Sequence, residues 1–175
     1  MRPTCRFLVD MVKQAQARVF VSIGAQRTLF QDVHQRRDVE ACGVLIGSMD
    51  QQGNWHIEQA HPLTNIFASP VYFEFAPEEL ITADLTYPGQ IVGAYHSHPT
   101  GFAAASSTDR RNMHHVNVEQ EIPWVWLIVR GPFHATPSFP HEGRIQCSSI
   151  LAYYHYVHEG LRRIIVEFEE DVETI

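Results

Sequence analysis

Two histidines separated by one residue, His96 and His98, end an apolar run and have the types and spacing of metal ligands. If that run is a strand, both imidazoles project from the same face, because side chains alternate with a period of two. Asp109 follows in a segment that resembles the start of a helix, and it can return as a third ligand. Three nitrogen and oxygen ligands, with the fourth position left to water, are the arrangement that holds a catalytic zinc ion.

Each part of this pattern also has a simpler explanation. A His-x-His pair is commonly an ordinary surface or core feature. Ser106 and Asp109 have the spacing of a helix capping box, in which each side chain bonds the other residue's backbone amide. The joint pattern favours a metal site, because chance rarely supplies His-Ser-His-Pro, six residues, Ser, two residues and Asp in succession.

The joint pattern resembles the JAMM/MPN-plus family of zinc metalloproteases, whose motif is a Glu, a variable gap and His-[Ser/Thr]-His-Pro-x6-Ser-x2-Asp. Glu40 stands in the place of the upstream Glu, since an apolar, glycine-containing run follows it. The resemblance covers roughly residues 17–130. It implies one bound Zn2+ ion with three protein ligands, His96, His98 and Asp109. It also implies two catalytic side chains, Glu40 and Ser106.

The chemistry of that family is amide hydrolysis. Glu40 would take a proton from the attacking water and pass it to the leaving nitrogen, which is general acid–base catalysis. Ser106 would donate its hydroxyl proton to the carbonyl oxygen as negative charge develops there. Members with the complete set cut isopeptide or peptide bonds at the C-terminus of ubiquitin or a ubiquitin-like protein. The resemblance therefore implies a ubiquitin-like protein and its conjugates as partners.

The short distance between Asp109 and the next predicted strand resembles compact prokaryotic, deubiquitinase-like members of the family. Such members are associated with bacterial ubiquitin-like conjugation systems that contain E1- and E2-like enzymes, some of them in antiviral defence. Two other interpretations stay open: a peptidase that processes a sulfur-carrier protein by the same chemistry, and a non-catalytic MPN scaffold. Scaffold members have lost metal ligands, whereas this chain keeps them.

Length and charge limit the other possibilities. At 175 residues, the chain is predicted to be a single JAMM/MPN domain over 1–175, in which strands and a helix in 131–175 complete the fold. A formal net charge of -7, from 20 acidic and 13 basic residues, argues against nucleic acid or an anionic membrane as a partner. No apolar run approaches the length of about 18 residues that a membrane span needs. The first residues lead into polar sequence rather than an apolar signal core, so we expect a cytoplasmic protein.

Cysteines and the remaining histidines offer weaker candidates. The three cysteines are scattered, with no Cys-x-x-Cys pair, so disulfides are not expected. Cys42 lies near Glu40 and could act as a thiol nucleophile, although its apolar surroundings favour a buried structural cysteine. Histidines such as His114, His115 and His155 are either further ligands or solvated side chains. No His-Glu-x-x-His occurs, which excludes a zincin-type site.

Hydrophobic periodicity predicts strands that alternate with helices, which favours an α/β fold. The resemblance implies its form, a JAMM/MPN (cytidine-deaminase-like) three-layer sandwich with a mixed, curved β-sheet flanked by helices. The predicted strands are 18–23, 40–48, 55–60, 71–75, 91–98, 123–129 and 164–168. The predicted helices are 25–38, 77–85 and 107–118.

Several segments are predicted to be loops or stay undecided. Residues 61–70 and 133–142 are predicted loops, the second of them either on the substrate side or purely structural. Residues 144–158 fit either a strand followed by a helix or an aromatic strand. The glycine-ended tail of a ubiquitin-like protein could add beside an exposed edge near the zinc, for which 67–75 is the candidate.

Overall fold

The strands in the described residues, 17–133 and 143–170 of this computed structural model, belong to one mixed sheet. They are β1 (Arg18–Val21), β2 (Cys42–Met49), β3 (Trp55–Leu63), β4 (Ile91–His98), β5 (Val125–Arg130), β6 (Ile150–Tyr156) and β7 (Gly160–Phe168). The helices are α1 (Ile23–Gln35), α2 (Pro77–Thr86) and α3 (Ser107–His114), which continues as a π-helical turn over His115–Glu119. A 3-10 turn covers Cys147–Ser149.

The sheet closes on itself. Its strand order is β1-β3-β2-β4-β5-β6-β7, and β1 pairs in parallel with both β3 and β7. β4 and β5 are also parallel, whereas the other neighbours are antiparallel. The predicted mixed, curved sheet is therefore present, but it is a closed barrel rather than an open layer. Each strand is rotated relative to its neighbour, and this twist accumulates until β1 meets β7.

Helices pack on both faces of this sheet. Leu45, Tyr95 and Leu127 belong to the core cluster that contains the buried face of α1. Their strand neighbours point the other way, because successive side chains alternate across a sheet. Those neighbours pack in the clusters that include α2 and α3: Val44, Ala94 and Ile128. Met113 of α3 lies among the buried residues on that face and fixes the helix against the sheet.

The first strand and helix differ from their predicted bounds. β1 ends at Val21, and α1 begins at Ile23, so Gly24 lies in the first turn of the helix rather than ending the strand. Ser22 is the N-cap residue, and its hydroxyl oxygen accepts a hydrogen bond from the Ala25 amide. That bond satisfies one of the free amides at a helix start and therefore sets the boundary.

The prediction of a strand at 71–75 is wrong. Residues 64–76, called the β3–α2 loop below, contain only an isolated bridge between Asn65 and Phe75 within the described chain. β3 itself runs to Leu63, beyond the predicted end at residue 60, because Cys42 of β2 pairs with Leu63. The candidate edge for a substrate tail is consequently a loop and not a strand.

The C-terminal part settles the undecided segment. β6 and β7 form an antiparallel hairpin in which Tyr156 pairs with Gly160, so the second half of 144–158 is a strand and not a helix. β7 begins earlier than the predicted residue 164, and the helix expected within 131–175 is not found in its described part beyond the short 3-10 turn. The predicted loop 133–142 lies outside the described residues except for Phe133. No helix in the described ranges is both long and apolar enough to cross a bilayer.

Candidate metal centre and active site

β4 carries two of the candidate ligands on one face. Cys42 of β2 pairs with His96 on one side of the strand, and Ile128 of β5 pairs with it on the other. His96 and His98 are both buried, and their Nε2 atoms lie 3.1 Å apart. The i, i+2 spacing therefore brings the two imidazoles together as predicted.

Asp109 projects from the first turn of α3 toward the same point. Its Oδ1 lies 3.2 Å from His96 Nε2, and its Oδ2 lies 3.4 Å from His98 Nε2. The capping box is also present: the Asp109 amide donates to Ser106 Oγ at 3.1 Å, and the Ser106 amide donates to Asp109 Oδ2 at 2.7 Å. The two explanations of the Ser-x-x-Asp pattern are thus compatible, because the cap aims the carboxylate at the histidines.

These residues fit a zinc ion. Metal–ligand bonds of about 2.0–2.1 Å in a tetrahedral site place the ligand atoms about 3.3 Å from one another. The three separations observed, 3.1, 3.2 and 3.4 Å, are close to that value. His98 Nδ1 lies 3.0 Å from the Phe102 carbonyl oxygen, which only accepts, so a proton on Nδ1 satisfies this contact and leaves Nε2 able to present its lone pair to a metal. Within the described chain, these three residues are the group with metal-binding spacing.

The ring of His96 also stacks on an aromatic side chain. Its ring lies against Phe73 with centroids 4.5 Å apart and an interplanar angle of 24°. Its Nδ1 is buried and has no hydrogen-bond partner in the described part of the chain. Histidine ligands are usually oriented by a hydrogen bond at the second ring nitrogen. At His96 the aromatic contact takes over that orienting role.

Glu40 lies just before β2 and reaches the same centre. Its Oε1 is 4.0 Å from His98 Nε2, and the residue is only 5% exposed. Burial raises the pKa of its carboxyl to about 7, with the His98 charge acting in the opposite direction and Asp109 adding to the rise. A carboxyl whose pKa lies near neutrality is suited to accept and return a proton.

Two of the three candidate ligands, His96 and Asp109, have a pKa that is shifted toward the form that binds a metal. Burial opposes the charged form of His98, but its contacts with Asp109, the Phe102 carbonyl and Glu40 raise its pKa overall. Burial lowers the pKa of His96, which favours its neutral form. Burial opposes ionisation of Asp109, but hydrogen bonds from His96 and His98 outweigh it and hold the pKa of the carboxyl well below its usual range. A neutral imidazole beside a carboxylate is a competent pair of ligands at neutral pH.

Ser106 keeps the proton that its predicted role needs. A hydroxyl has one donor and two acceptor sites, and the bond from the Asp109 amide occupies an acceptor site. The O–H lies beside the Asp109 carboxylate, whose pKa it helps to lower, and in the predicted role it would turn toward a substrate carbonyl. Ser106, Asp109 and Glu40 line the same narrow cleft, together with Tyr72 and Phe73.

The weaker candidates do not join the site. Burial raises the pKa of the Cys42 thiol to about 12, which makes a thiolate nucleophile unfavourable and agrees with a structural cysteine. His114 and His115 contact Glu119 on the π-helical turn, and His155 packs edge-on against His114. These histidines serve the surface around α3 rather than the metal centre.

Two residues of the site were not singled out by sequence reasoning. Phe73 was placed in a predicted strand, and Asn65 lay in a predicted loop with no motif around it. Both act through contacts that join distant parts of the chain, so spacing along the sequence gave no signal for either.

Comparisons with known proteins identify relatives of this chain. A family model described as prokaryotic homologs of the JAB domain matches residues 23–142. A desampylase from Haloferax volcanii is 40% identical over 75 residues, which are 41% of this chain and 52% of that protein. Tail tip assembly protein K of Escherichia phage lambda is 38% identical over 66 residues, 38% of this chain and 30% of that protein. The chain thus spans about half or less of these curated relatives.

A solved structure shares the fold. The solution structure of protein DSY2949 from Desulfitobacterium hafniense superposes with a TM-score of 0.62 and 23% identity, and the match covers 89% of this chain and 95% of that one. At 23% sequence identity, this similarity is evidence for a shared fold alone. Because the JAB family model covers more than half of the sequence, the chain belongs to the prokaryotic JAB family, the compact prokaryotic members of the JAMM/MPN proteins.

Proposed function

We propose that this protein is a zinc-dependent peptidase that hydrolyses the amide bond at the C-terminus of a ubiquitin-like protein. The bond would be either the isopeptide link to a lysine or the peptide link of a precursor. The observation that carries the proposal is the convergence of His96, His98 and Asp109, with the Glu40 carboxylate 4.0 Å from His98. The similarity to a protein named desampylase supports deconjugation as the reaction class.

The proposed ion would be held by His96 Nε2, His98 Nε2 and an oxygen of Asp109. Bound zinc supplies Lewis-acid polarisation of a carbonyl and makes water more acidic. Glu40 then accepts a proton from the attacking water at a carboxylate oxygen and delivers it to the leaving nitrogen. Its burial keeps bulk water from competing for that proton.

Ser106 completes the proposed site from α3. Its hydroxyl proton would donate to the substrate carbonyl oxygen, where negative charge grows during attack, and a well-placed donor of this kind is worth about 100- to 1000-fold in rate. The cleft beside Glu40 is narrow and is bordered by Val71, Tyr72 and Phe73 of the β3–α2 loop. Such a cleft suits a thin, extended tail that ends in glycine.

The biological setting of the peptidase is also a proposal. A bacterial ubiquitin-like conjugation system with E1- and E2-like enzymes, in the cytoplasm, is the setting that we propose. A scaffold role is disfavoured because the complete ligand set lies together and buried. The segment similar to the lambda tail tip protein covers 30% of that protein, so no role in assembly is proposed from it.

The direct test is intact-mass analysis of ubiquitin-like proteins that carry a C-terminal extension. Each is incubated with zinc-loaded wild type, with Glu40→Ala, and with Glu58→Ala, whose carboxylate is exposed on β3. We expect cleavage directly after the tail by wild type and Glu58→Ala only. Zinc-loaded wild type that leaves every ubiquitin-like and sulfur-carrier precursor intact would refute the proposal.

A further inference from the structure

Asn65 is a buried polar residue at the start of the β3–α2 loop, only 8% exposed. Its Nδ2 donates to the carbonyl oxygens of Glu40 and Tyr72, at 3.1 and 3.0 Å. Its Oδ1 accepts from the amides of Phe67 and Glu74, at 3.1 and 3.3 Å. A side-chain amide has two donors and two acceptor sites, so all four are used.

These four bonds connect the two sides of the cleft. Tyr72 and Glu74, both bound by Asn65, flank Phe73, whose ring lies on the ligand His96. The third partner on the loop side, Phe67, lies nearer the other end of the same loop. One side chain thus ties the general base to the segment that orients a metal ligand.

The sheet holds only one side of Glu40. The neighbouring residue, Ala41, donates its amide to Ser97 Oγ and accepts from the Ser97 amide, each at 2.8 Å. On the other side, Glu40 donates its own amide to the Ser69 carbonyl at 2.8 Å. Ser69 belongs to the β3–α2 loop, so this bond holds Glu40 in place only as firmly as the loop is held, and the side chain of Asn65 bonds that loop at Phe67, Tyr72 and Glu74.

We infer that Asn65 is a positioning residue for the proposed peptidase site, one that fixes the backbone of Glu40 and the ring of Phe73 in a common frame. The inference rests on the proposed function for its effect on turnover, but not for its effect on structure. Asn65 touches neither the ligand atoms nor the cleft, so it acts through the two residues that it positions.

The substitution Asn65→Asp removes the two hydrogen bonds that Asn65 donates and keeps the two that it accepts. The carboxylate keeps the acceptors for Phe67 and Glu74, whereas it loses the donors and turns an oxygen toward the carbonyls of Glu40 and Tyr72. The change is isosteric, so it removes the link to the general base without opening a cavity.

Asn117 provides a matched control. It is 0% exposed, and its Nδ2 donates to the carbonyls of Ile122 and Trp124, both at 2.9 Å. Its Oδ1 accepts from Trp126 Nε1 and from the His155 amide, both at 3.2 Å. Asn117→Asp therefore causes the same chemical loss in an equally buried network that does not contact Glu40.

The test measures kcat and KM for the tail-extended substrate, together with amide hydrogen exchange of the zinc-loaded protein. For Asn65→Asp we expect kcat to fall about 10- to 100-fold while KM changes by less than about twofold, because a small displacement of a catalytic group costs turnover rather than binding. The Glu40 amide should exchange faster, because its bond to Ser69 depends on the loop. Asn117→Asp should leave kcat and the exchange of the Glu40 amide near their wild-type values.

Three results would overturn the inference: near-normal kcat in Asn65→Asp, unchanged exchange at Glu40, or an equal loss of kcat in Asn117→Asp, which would reveal a general effect of stability. If wild type cleaves nothing, the proposed function fails, and the exchange rate of the Glu40 amide alone decides the inference. If Asn65→Asp does not fold, Asn65→Ser replaces it, because a single short hydroxyl cannot bond both carbonyls.

Discussion

The buried position of Glu40 disfavours the negative charge that a glutamate normally carries at neutral pH. The carboxyl is buried beside another carboxylate, and the sequence places no lysine or arginine within two residues of it. Burial is the larger cause of its raised pKa of about 7, with Asp109 adding to it and His98 opposing it. At neutral pH the carboxyl is therefore divided between its protonated and ionised forms, and a cation bound beside it would favour the carboxylate.

This shift predicts a pH dependence of stability for the metal-free protein. The folded pKa of about 7 lies above the ordinary value of 4.5 for a Glu carboxyl, so the contribution of Glu40 to stability is full below about pH 4.5 and is lost as pH rises through 7. Glu40→Gln removes the titration. In EDTA, the variant should gain on wild type by up to about 3 kcal/mol between pH 5 and 8, since one pKa unit corresponds to about 1.4 kcal/mol. Denaturant unfolding at both pH values measures this gain, and a constant difference would contradict it.

The proposed role of Phe73 is to orient the ring of His96, and zinc affinity tests it. The ring of Phe73 stacks on the ring of His96. No hydrogen bond in the described chain orients His96 through Nδ1, so this stacking contact is the candidate for that role. Phe73→Ala should weaken zinc binding about 10- to 100-fold, the usual effect of losing a residue that orients a ligand. Competition with a chromophoric chelator measures the affinity. Phe75→Ala, at a neighbouring aromatic that does not stack on His96, should change it far less.

At the scale of elements, the N-terminus of α3 combines a cap with the site. Ser106 Oγ accepts from the Asp109 amide, and the Asp109 carboxylate accepts from the Ser106 amide. The same two bonds that start the helix also direct one ligand and one hydroxyl toward β4. The buried face of α3, through Met113, sets the distance of this turn from the sheet.

The chain offers a direct comparison for the cap. Ser22 caps α1 through the Ala25 amide, as Ser106 caps α3 through the Asp109 amide. Ser22→Ala and Ser106→Ala should each lower the free energy of unfolding by about 1 kcal/mol. Only Ser106→Ala should also lower kcat, by about 100- to 1000-fold, because it alone loses a donor to the substrate carbonyl. Equal kcat values in the two variants would show that Ser106 is only a cap.

At the scale of the whole molecule, the proposed ion would join separate parts of the fold. Its ligands come from β4 and α3, while Glu40 precedes β2 on the neighbouring side of the sheet. The acidic and imidazole groups face one another across the layer between sheet and helix. An ion bound there would link α3 to the sheet and thereby resist unfolding.

Zinc should accordingly raise the melting temperature. An ion that binds only the folded state stabilises it by about 2.7 kcal/mol at a free concentration 100 times its Kd. For a domain of this size, 1 kcal/mol shifts Tm by about 2–4 °C, so the expected rise is about 5–10 °C. Calorimetry with and without EDTA measures it. His98→Ala should abolish the rise, and a variant that retains it would remove His98 from the ligand set.

Much of the fold was predictable because local chemistry marks it. The helix at Pro77–Thr86 begins with proline and two glutamates, and the structure places it within a residue of its predicted bounds. The strand that carries His96 and His98 is an apolar run ending in a polar motif, and it is also found as predicted. The segment 71–75 misled the prediction because its β-branched and aromatic residues favour a strand, whereas the Asn65 side chain binds its backbone instead.

The sequence by itself marked the three candidate metal ligands, because the spacing of two histidines on a strand and the place of an aspartate on a capped helix are local properties of each element. It also determined the α/β class and most helices and strands. Only the tertiary structure decided that β1 closes the sheet against β7, that Phe73 stacks on His96, and that Asn65 joins Glu40 to the loop. These features depend on contacts between residues far apart in the chain, and such contacts exist only once sheet twist and side-chain packing have brought the segments together.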